Sequence, residues 1–211
     1  MSLTLLTQLF QWQANTVSQK RPSPSPRKLE LLEAAYCYAL AHGLADLSLR
    51  PLAAAIGSSP RVLLFLFGSK DALIQALLAR ARADELSMLE NLSRDRPGTD
   101  LAGATLEIWS WLSDPAHRSL LVLWVEGYSR SLVEPEGPWT NFANQTVTDW
   151  LNVLAAYQPV RARRTVAGRA QRTAVLAILR GALLDLLATN DRRRVDASIR
   201  LHLETIGTSA E

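Results

Sequence analysis

The nineteen residues from Leu49 to Phe67, LRPLAAAIGSSPRVLLFLF, constrain the fold of this chain most. They read as two short helices around a tight turn. Ser48 is placed to N-cap the first helix, and Gly57 to end it and open the turn. Ser59-Pro60 starts the second, with serine as N-cap and proline at the first helical position. Ala53 stands four residues before Gly57 and is small enough to let the second helix cross closely over the first. Leu49, Leu52 and Ile56, then Val62, Leu63 and Leu66, are candidates for a shared core. Two arrangements fit: a plain helical hairpin inside a bundle, or a helix-turn-helix whose second helix enters a DNA major groove.

Charge is distributed in a way that bears on this choice. The whole chain carries +3, but Lys20 to Arg82 alone holds nine basic and four acidic residues. A basic N-terminal third suits phosphates. Apolar residues make up 48% of the sequence, enough for a substantial core in a chain of 211 residues. There is no run of 18 uninterrupted apolar residues, so neither a membrane span nor a membrane partner is expected. The first residues lack the pattern of a secretory signal. The single cysteine, Cys37, excludes an internal disulfide and fits a reducing cytoplasm; it lies in an apolar helical pattern and is expected to be buried.

Taken in order, Met1 to Val17 has the spacing of a short amphipathic helix, and Lys20 to Lys28, KRPSPSPRK, reads as a basic proline-rich arm. Such arms can follow a minor groove. A helix is predicted over Leu29 to His42, with Leu29, Leu32, Ala35, Tyr36, Ala39 and Leu40 on one stripe and Gly43 as its stop. After the two short helices, Gly68 breaks the chain and Ser69 caps a fourth helix running from Lys70 to about Asn91. Further helices are predicted over Leu101–Leu112, Pro115–Val133, Trp139–Tyr157, Thr165–Thr189 and Arg192–Ile206, separated by DRPGTD, EPEGP and QPVRARR. No alternating strand pattern of useful length and no fixed repeat is present. The fold class is therefore all-α: a three-helix N-terminal head joined by a long fourth helix to a larger helical body. The division follows as residues 1–27 for extension and arm, 28–75 for the head and 76–211 for the body.

From Leu31 to Ala79 the sequence resembles the DNA-binding region of TetR-family transcriptional regulators. The resemblance rests on LLEAA, HG after the first helix, LSLR, AAAIG before the turn, SPRVLL and FGSKDAL, in the right order and spacing. It implies a homodimer that places the third helix of each subunit into a major groove of palindromic double-stranded DNA. It also implies a body that binds a small-molecule effector and thereby changes the spacing of the two heads. Half-sites lie about 34–36 Å apart, so a small change in head separation costs contacts on both sides.

The resemblance and the residues together nominate DNA contacts. Lys70, at the start of the fourth helix, combines an ammonium with a helix N-terminus to make a phosphate site. Ser48 and Arg50 begin the second helix, where the family contacts phosphates. Arg61 is placed for guanine readout or for phosphate. Ser58 and Ser59 can donate to phosphate, with capping as their alternative. At the end of the third helix, where the family usually has tyrosine and histidine, this chain has Leu64-Phe65-Leu66-Phe67, of which Leu64 and Phe65 are expected to point partly toward DNA. They offer apolar contacts, for instance to thymine methyls, and no hydrogen bond.

Five of the six tryptophans lie between Trp109 and Trp150. With Tyr128 and Phe142, the residues Trp109, Trp111, Trp124, Trp139 and Trp150 could line an apolar or aromatic effector pocket, with Thr105, Glu126, Asn141 and Gln145 as its polar groups. Ordinary helical core is the alternative for each. Along Thr165 to Thr189, Val166, Ala170, Ala174, Ala177, Ile178, Gly181 and Asp185 form a stripe that permits tight helix packing. With Val195, Ile199 and Leu203 of the last helix they are the candidate dimer interface, because the family joins its subunits through these two helices. Arg161, Arg163 and Arg164 are expected in a solvated loop.

Catalysis has little support. His42, His117 and His202 lack metal-ligand spacing, no metal or cofactor is implied, and Gly68-Ser69-Lys70 lacks the upstream glycine of a phosphate-binding loop, since position 63 is Leu63. The leading expectation is an effector-responsive repressor. The alternatives are a DNA-binding regulator without an effector, and a helical binding module whose operator recognition is weakened by the apolar run LLFLF.

Overall fold

Among the described residues the chain forms nine α-helices and no strand. The computed structural model describes residues 25–95, 98–134 and 136–208. The predicted helix within residues 1–17 and most of the basic arm lie outside that range. The helices are α1 Pro26–His42, α2 Leu49–Ala55, α3 Pro60–Phe67, α4 Lys70–Asp95, α5 Leu101–Leu112, α6 Arg118–Val133, α7 Phe142–Ala156, α8 Val166–Thr189 and α9 Arg192–Thr208. A single 3-10 turn, Pro115–His117, precedes α6. No single helix among the described residues is long and apolar enough to cross a membrane.

The arm ends earlier than the sequence indicates. Ser25 caps α1 by accepting from Lys28 N, and Pro26 takes the first helical position, so Pro26 to Lys28 are helical. The inward face of α1 is Leu31, Ala35, Tyr36 and Ala39, each nearly or fully buried. Leu29 and Cys37 fall off that face and are exposed, against expectation. Similarly, α7 starts at Phe142 rather than Trp139, because Asn141 adopts a left-handed conformation (φ 62°) that helical residues do not take.

Helices α1 to α3 pack on one another and on the first half of α4. Their common core is Leu31, Ala35, Leu44, Leu52, Leu63, Leu73 and Leu77. Polar ties reinforce the join. Arg80 of α4 pairs with Glu33 at 2.7 Å and also with Asp84, while the Tyr36 hydroxyl donates to Asp84 at 2.9 Å. Burial and the Asp84 carboxylate raise the pKa of that hydroxyl and keep it protonated. From the body, Glu126 of α6 accepts from Leu44 N at 2.9 Å, anchoring the loop after α1. Helices α5, α6 and α7 pack on α4, α8 packs on α5 and α7, and α9 packs on α5 and α8.

Candidate nucleic-acid interface and body cavity

The turn between α2 and α3 brings the two helices to 102°, within the range for a helix-turn-helix. Gly57 sits at φ +63°, which side-chain-bearing residues adopt with strain, and Ser58 N donates back to Ala53 O at 2.8 Å to close the turn. Ala53 is buried at the crossing. Ser59 caps α3 through Val62 N at 3.3 Å, and Ser69 caps α4 through Ala72 N at 3.0 Å.

Ser48 differs. It occupies the N-cap position of α2 but makes no side-chain cap bond. Pro51, the third residue of that helix, has no N–H to donate, so the Ser48 hydroxyl stays exposed and uncommitted. Ser58 does the reverse: its Oγ is buried in the turn, without a hydrogen-bond partner.

Each of the three helix starts carries a cation. Arg50 is the second residue of α2, Arg61 the second of α3 and Lys70 the first of α4, and all three are exposed. A positive side chain at a helix N-terminus opposes the helix dipole. Three such placements in succession are unfavourable for the isolated protein and become favourable when anions arrive.

On α3, Leu63 and Phe67 point inward and Leu66 is half-buried. Val62, expected in the core, is 38% exposed. Leu64 is also exposed, and Phe65 is 86% exposed. The outer side of α3 is therefore an arginine followed by an apolar surface.

In the body, two of the predicted pocket residues line one cavity. Trp124 and Trp150 join Glu85, Leu112, Leu121, Leu176, Leu179, Arg180 and Leu183 around a cavity of about 20 Å³, room for about one water. Tyr128 borders it by stacking on Trp124 and lying under the Arg180 guanidinium, 4.8 Å from its ring centre. The other candidates go elsewhere. Thr105 is fully buried and donates to Leu101 O, Trp109 donates to Asp196 at 2.7 Å, and Trp139 and Phe142 fill the core. Gln145 accepts from Arg82 at 2.9 Å on the surface, and Glu126 holds the α1 loop. Helical periodicity identifies an inward face but not which inward groups leave a space between them.

Glu85 and Arg180 were not signalled by the sequence. Glu85 is 8% exposed and accepts from Trp150 Nε1 at 2.5 Å. Burial pushes its pKa up to about 7, against the lowering effects of the Trp150 bond and the Arg180 charge. Trp124 Nε1 also lies close enough to lower it, but falls short of hydrogen-bond geometry. Arg180, its pKa lowered by burial, donates from Nη1 to the Tyr128 hydroxyl at 3.2 Å. Its Nε and Nη2 are buried with no acceptor.

On α8, Val166, Ala170, Ala174, Ala177 and Gly181 form an exposed stripe, and a Cβ at Gly181 would meet open space. Ile178 and Asp185 are half-buried beside it. On α9 the placement differs from expectation. Val195 and Ile199 are 1% exposed inside the chain's own core and Leu203 is half-buried, whereas Leu201 is 64% exposed. The exposed apolar residue Leu201 thus lies two residues from both Ile199 and Leu203, on the opposite side of α9 from the predicted positions. Arg163, expected in solvent, donates to Gln158 O and Ala156 O and satisfies carbonyls at the end of α7.

No family model matches the chain, and no curated protein matches it in sequence. Solved structures do match in fold. A TetR transcriptional regulator from Legionella pneumophila aligns at TM-score 0.68 and 15% identity, over 86% of this chain and 97% of its own. A TetR transcription regulator from Haloarcula marismortui aligns at TM-score 0.64 and 18% identity, over 84% and 95%. The multidrug binding protein EbrR, solved with imidazole, aligns at TM-score 0.62 and 22% identity, over 84% and 88%. The chain has the fold of TetR-family transcriptional regulators, across head and body alike.

Proposed function

We propose that this chain is a DNA-binding transcriptional regulator of the TetR family, acting as a repressor whose homodimer holds a palindromic operator and is released by a small effector. The observation that carries the reading is the 102° helix-turn-helix followed directly by an exposed lysine at the capped start of α4. In this reading residues 28–75, extended back to the α1 cap at Ser25, are the DNA-binding domain, and residues 76–208 the effector and dimer domain.

Ser48, Arg50 and Lys70 hold phosphates, and Arg61 reads a base edge or a neighbouring phosphate. Leu64 and Phe65 supply apolar contact to bases. The exposed small stripe of α8, with Leu201 of α9, is the self-complementary surface for a two-fold partner. EbrR, a protein of the same fold solved with small molecules, supports an effector site in the body.

The test is a gel-shift titration against DNA flanking the chain's own gene, at several salt concentrations. Specific binding is expected, weakening as salt rises. If no fragment outcompetes random DNA, the reading falls. In the same assay Lys70→Ala should weaken binding to all sequences alike and reduce the salt slope by about 1. Arg61→Ala should relax preference at one base position if the guanidinium reads a base edge, and act like Lys70→Ala if it holds a phosphate.

A further inference from the structure

Two chain reversals of the body stand opposite each other. One joins α5 to α6: Ser113 ends α5, Asp114 caps the 3-10 turn by accepting from Ala116 N at 2.8 Å, and Arg118 opens α6. The other joins α8 to α9: Asn190 ends α8 in a left-handed conformation (φ 56°), and Arg192 opens α9. Residues of both reversals line a cavity of about 240 Å³. One water needs about 10–15 Å³ and small-molecule sites begin near roughly 300 Å³, so this space is on the scale of a small organic molecule. It meets the much smaller interior cavity at Leu112 and Leu121, which line both.

The lining divides by chemistry. Leu112, Leu121, Leu186 and Leu187 supply an apolar wall, and Asp114, Arg118, Asn190 and Arg192 supply polar groups. Both arginines are exposed, so their guanidiniums are open to an arriving group. Arg118 gives Nη2 to Leu187 O at 3.0 Å, a neutral acceptor. Arg192 Nε lies 3.6 Å from Asp196 Oδ2, too far for a hydrogen bond, and the other oxygen of Asp196 accepts from Trp109 at 2.7 Å. Asp114 has its Oδ1 committed to its own turn. Two guanidiniums against one carboxylate leave the lining with a net positive charge.

From this arrangement we infer that the cavity between the α5–α6 and α8–α9 reversals binds a monoanionic organic acid with a short alkyl body. The carboxylate head lies with Arg118 and Arg192, and the alkyl body lies on the leucine wall. Charge-assisted bonds to the guanidiniums select an anion, while the apolar wall disfavours a second charge on the ligand. This deepens the reading of the body as an effector domain and rests on it for its regulatory meaning, though not for binding itself. The cavity adjoins the start of α6, and α6 is the helix whose Glu126 holds the loop after α1 in the head.

Calorimetry on the full chain tests this with octanoate, octanamide and octylamine, which share a body, and with acetate, which has the head alone. Octanoate should bind roughly ten- to hundredfold tighter than octanamide, with the amine weaker still and acetate giving no measurable heat. Arg118→Gln and Arg192→Gln should each lower octanoate affinity about five- to tenfold, and the double variant should erase the preference over the amide. Arg200→Gln, exposed on α9 and outside the lining, should leave it unchanged. Leu187→Trp, at a half-buried wall position, fills the cavity and should weaken every octyl probe. If that variant fails to fold by circular dichroism, the arginine variants, altered only at exposed positions, carry the comparison. The inference is overturned if octanamide or octylamine matches octanoate, if octanoate does not bind, or if the preference survives in the double variant. A loss at Arg200 equal to that at Arg118 overturns it too, because general positive charge then accounts for binding. Parallel gel shifts separate the two readings. Release of DNA by octylamine but not by octanoate overturns the ligand class and leaves the effector role standing. Arginine-dependent octanoate binding that never alters DNA affinity supports the ligand class and overturns the effector role.

Discussion

Gly168→Ala is expected to lower stability by about 3 kcal/mol, which for a chain of this size is a fall of roughly 6–12 °C in melting temperature. Gly168 lies in the first turn of α8, where a Cβ would stand 2.1 Å from the carbonyl oxygen of Ala162 and 2.9 Å from its carbon. Those are backbone atoms, and they are pinned. Ala162 O accepts from Thr165 N at 3.0 Å and from Thr165 Oγ1 at 2.9 Å. Thr165 Oγ1 in turn caps Gly168 N at 2.9 Å. The far side of the glycine is held as well, since the buried Gln158 amide donates to Gly168 O at 2.9 Å. No flexible side chain is available to give way, so the turn between α7 and α8 must distort. Thermal unfolding at fixed protein concentration reads the effect, and a change below about 1 °C would show that the turn shifts without cost.

The second large effect depends on pH. The Glu85 carboxyl, with an ordinary value of 4.5, is raised to about 7 in the folded chain. Below pH 4.5 it is protonated both folded and unfolded, and the stability linked to its neutral form is fully present. As pH rises through 7, the folded chain must carry a buried carboxylate that the unfolded chain carries in water, and that stability is lost. A shift of this size corresponds to about 3 kcal/mol. Glu85→Gln keeps an acceptor for Trp150 and removes the ionisation. It should match the native chain in urea denaturation near pH 4.5 and exceed it by about 3 kcal/mol at pH 8. Parallel stability curves for the two proteins over that range would show that Glu85 ionises without burial cost. The same carboxyl shares the cavity lining with Arg180 and feels its charge.

The apolar outer side of α3 has a consequence for DNA recognition. In the proposed role Leu64 and Phe65 would add contact area but no hydrogen bonds, which would leave Arg61, the one charged side chain of that helix, to discriminate bases. Under that proposal affinity would depend strongly on phosphate contacts at the starts of α2 and α4, and the salt dependence should be steep relative to the sequence preference.

Much of the head was legible from local chemistry. Ser59-Pro60, Ser69, Gly57 and the Ala53 spacing each act within a few residues. Caps, proline positions and a glycine at positive φ give the same result wherever the chain folds. The helices of the body were legible for the same reason, to within a few residues at their ends. The exposed α8 stripe also followed from periodicity, because Leu176, Leu179 and Leu183 claim the opposite side. What local chemistry could not supply was the partner of each inward face. Val195 and Ile199 have the spacing of either an internal core or a subunit contact, and only packing against the chain's own helices assigns them to the core. Seven tryptophan, tyrosine and phenylalanine residues were equally fit for core or pocket, and the structure puts Trp124 and Trp150 at the cavity and Trp109, Trp139 and Phe142 in close packing. Glu85 and Arg180 read as surface charges on long helices. They become neighbours because α4 and α8 pack across α5 and α7 and enclose them, and burial, which no sequence window contains, raises the Glu85 pKa and leaves two Arg180 nitrogens without an acceptor.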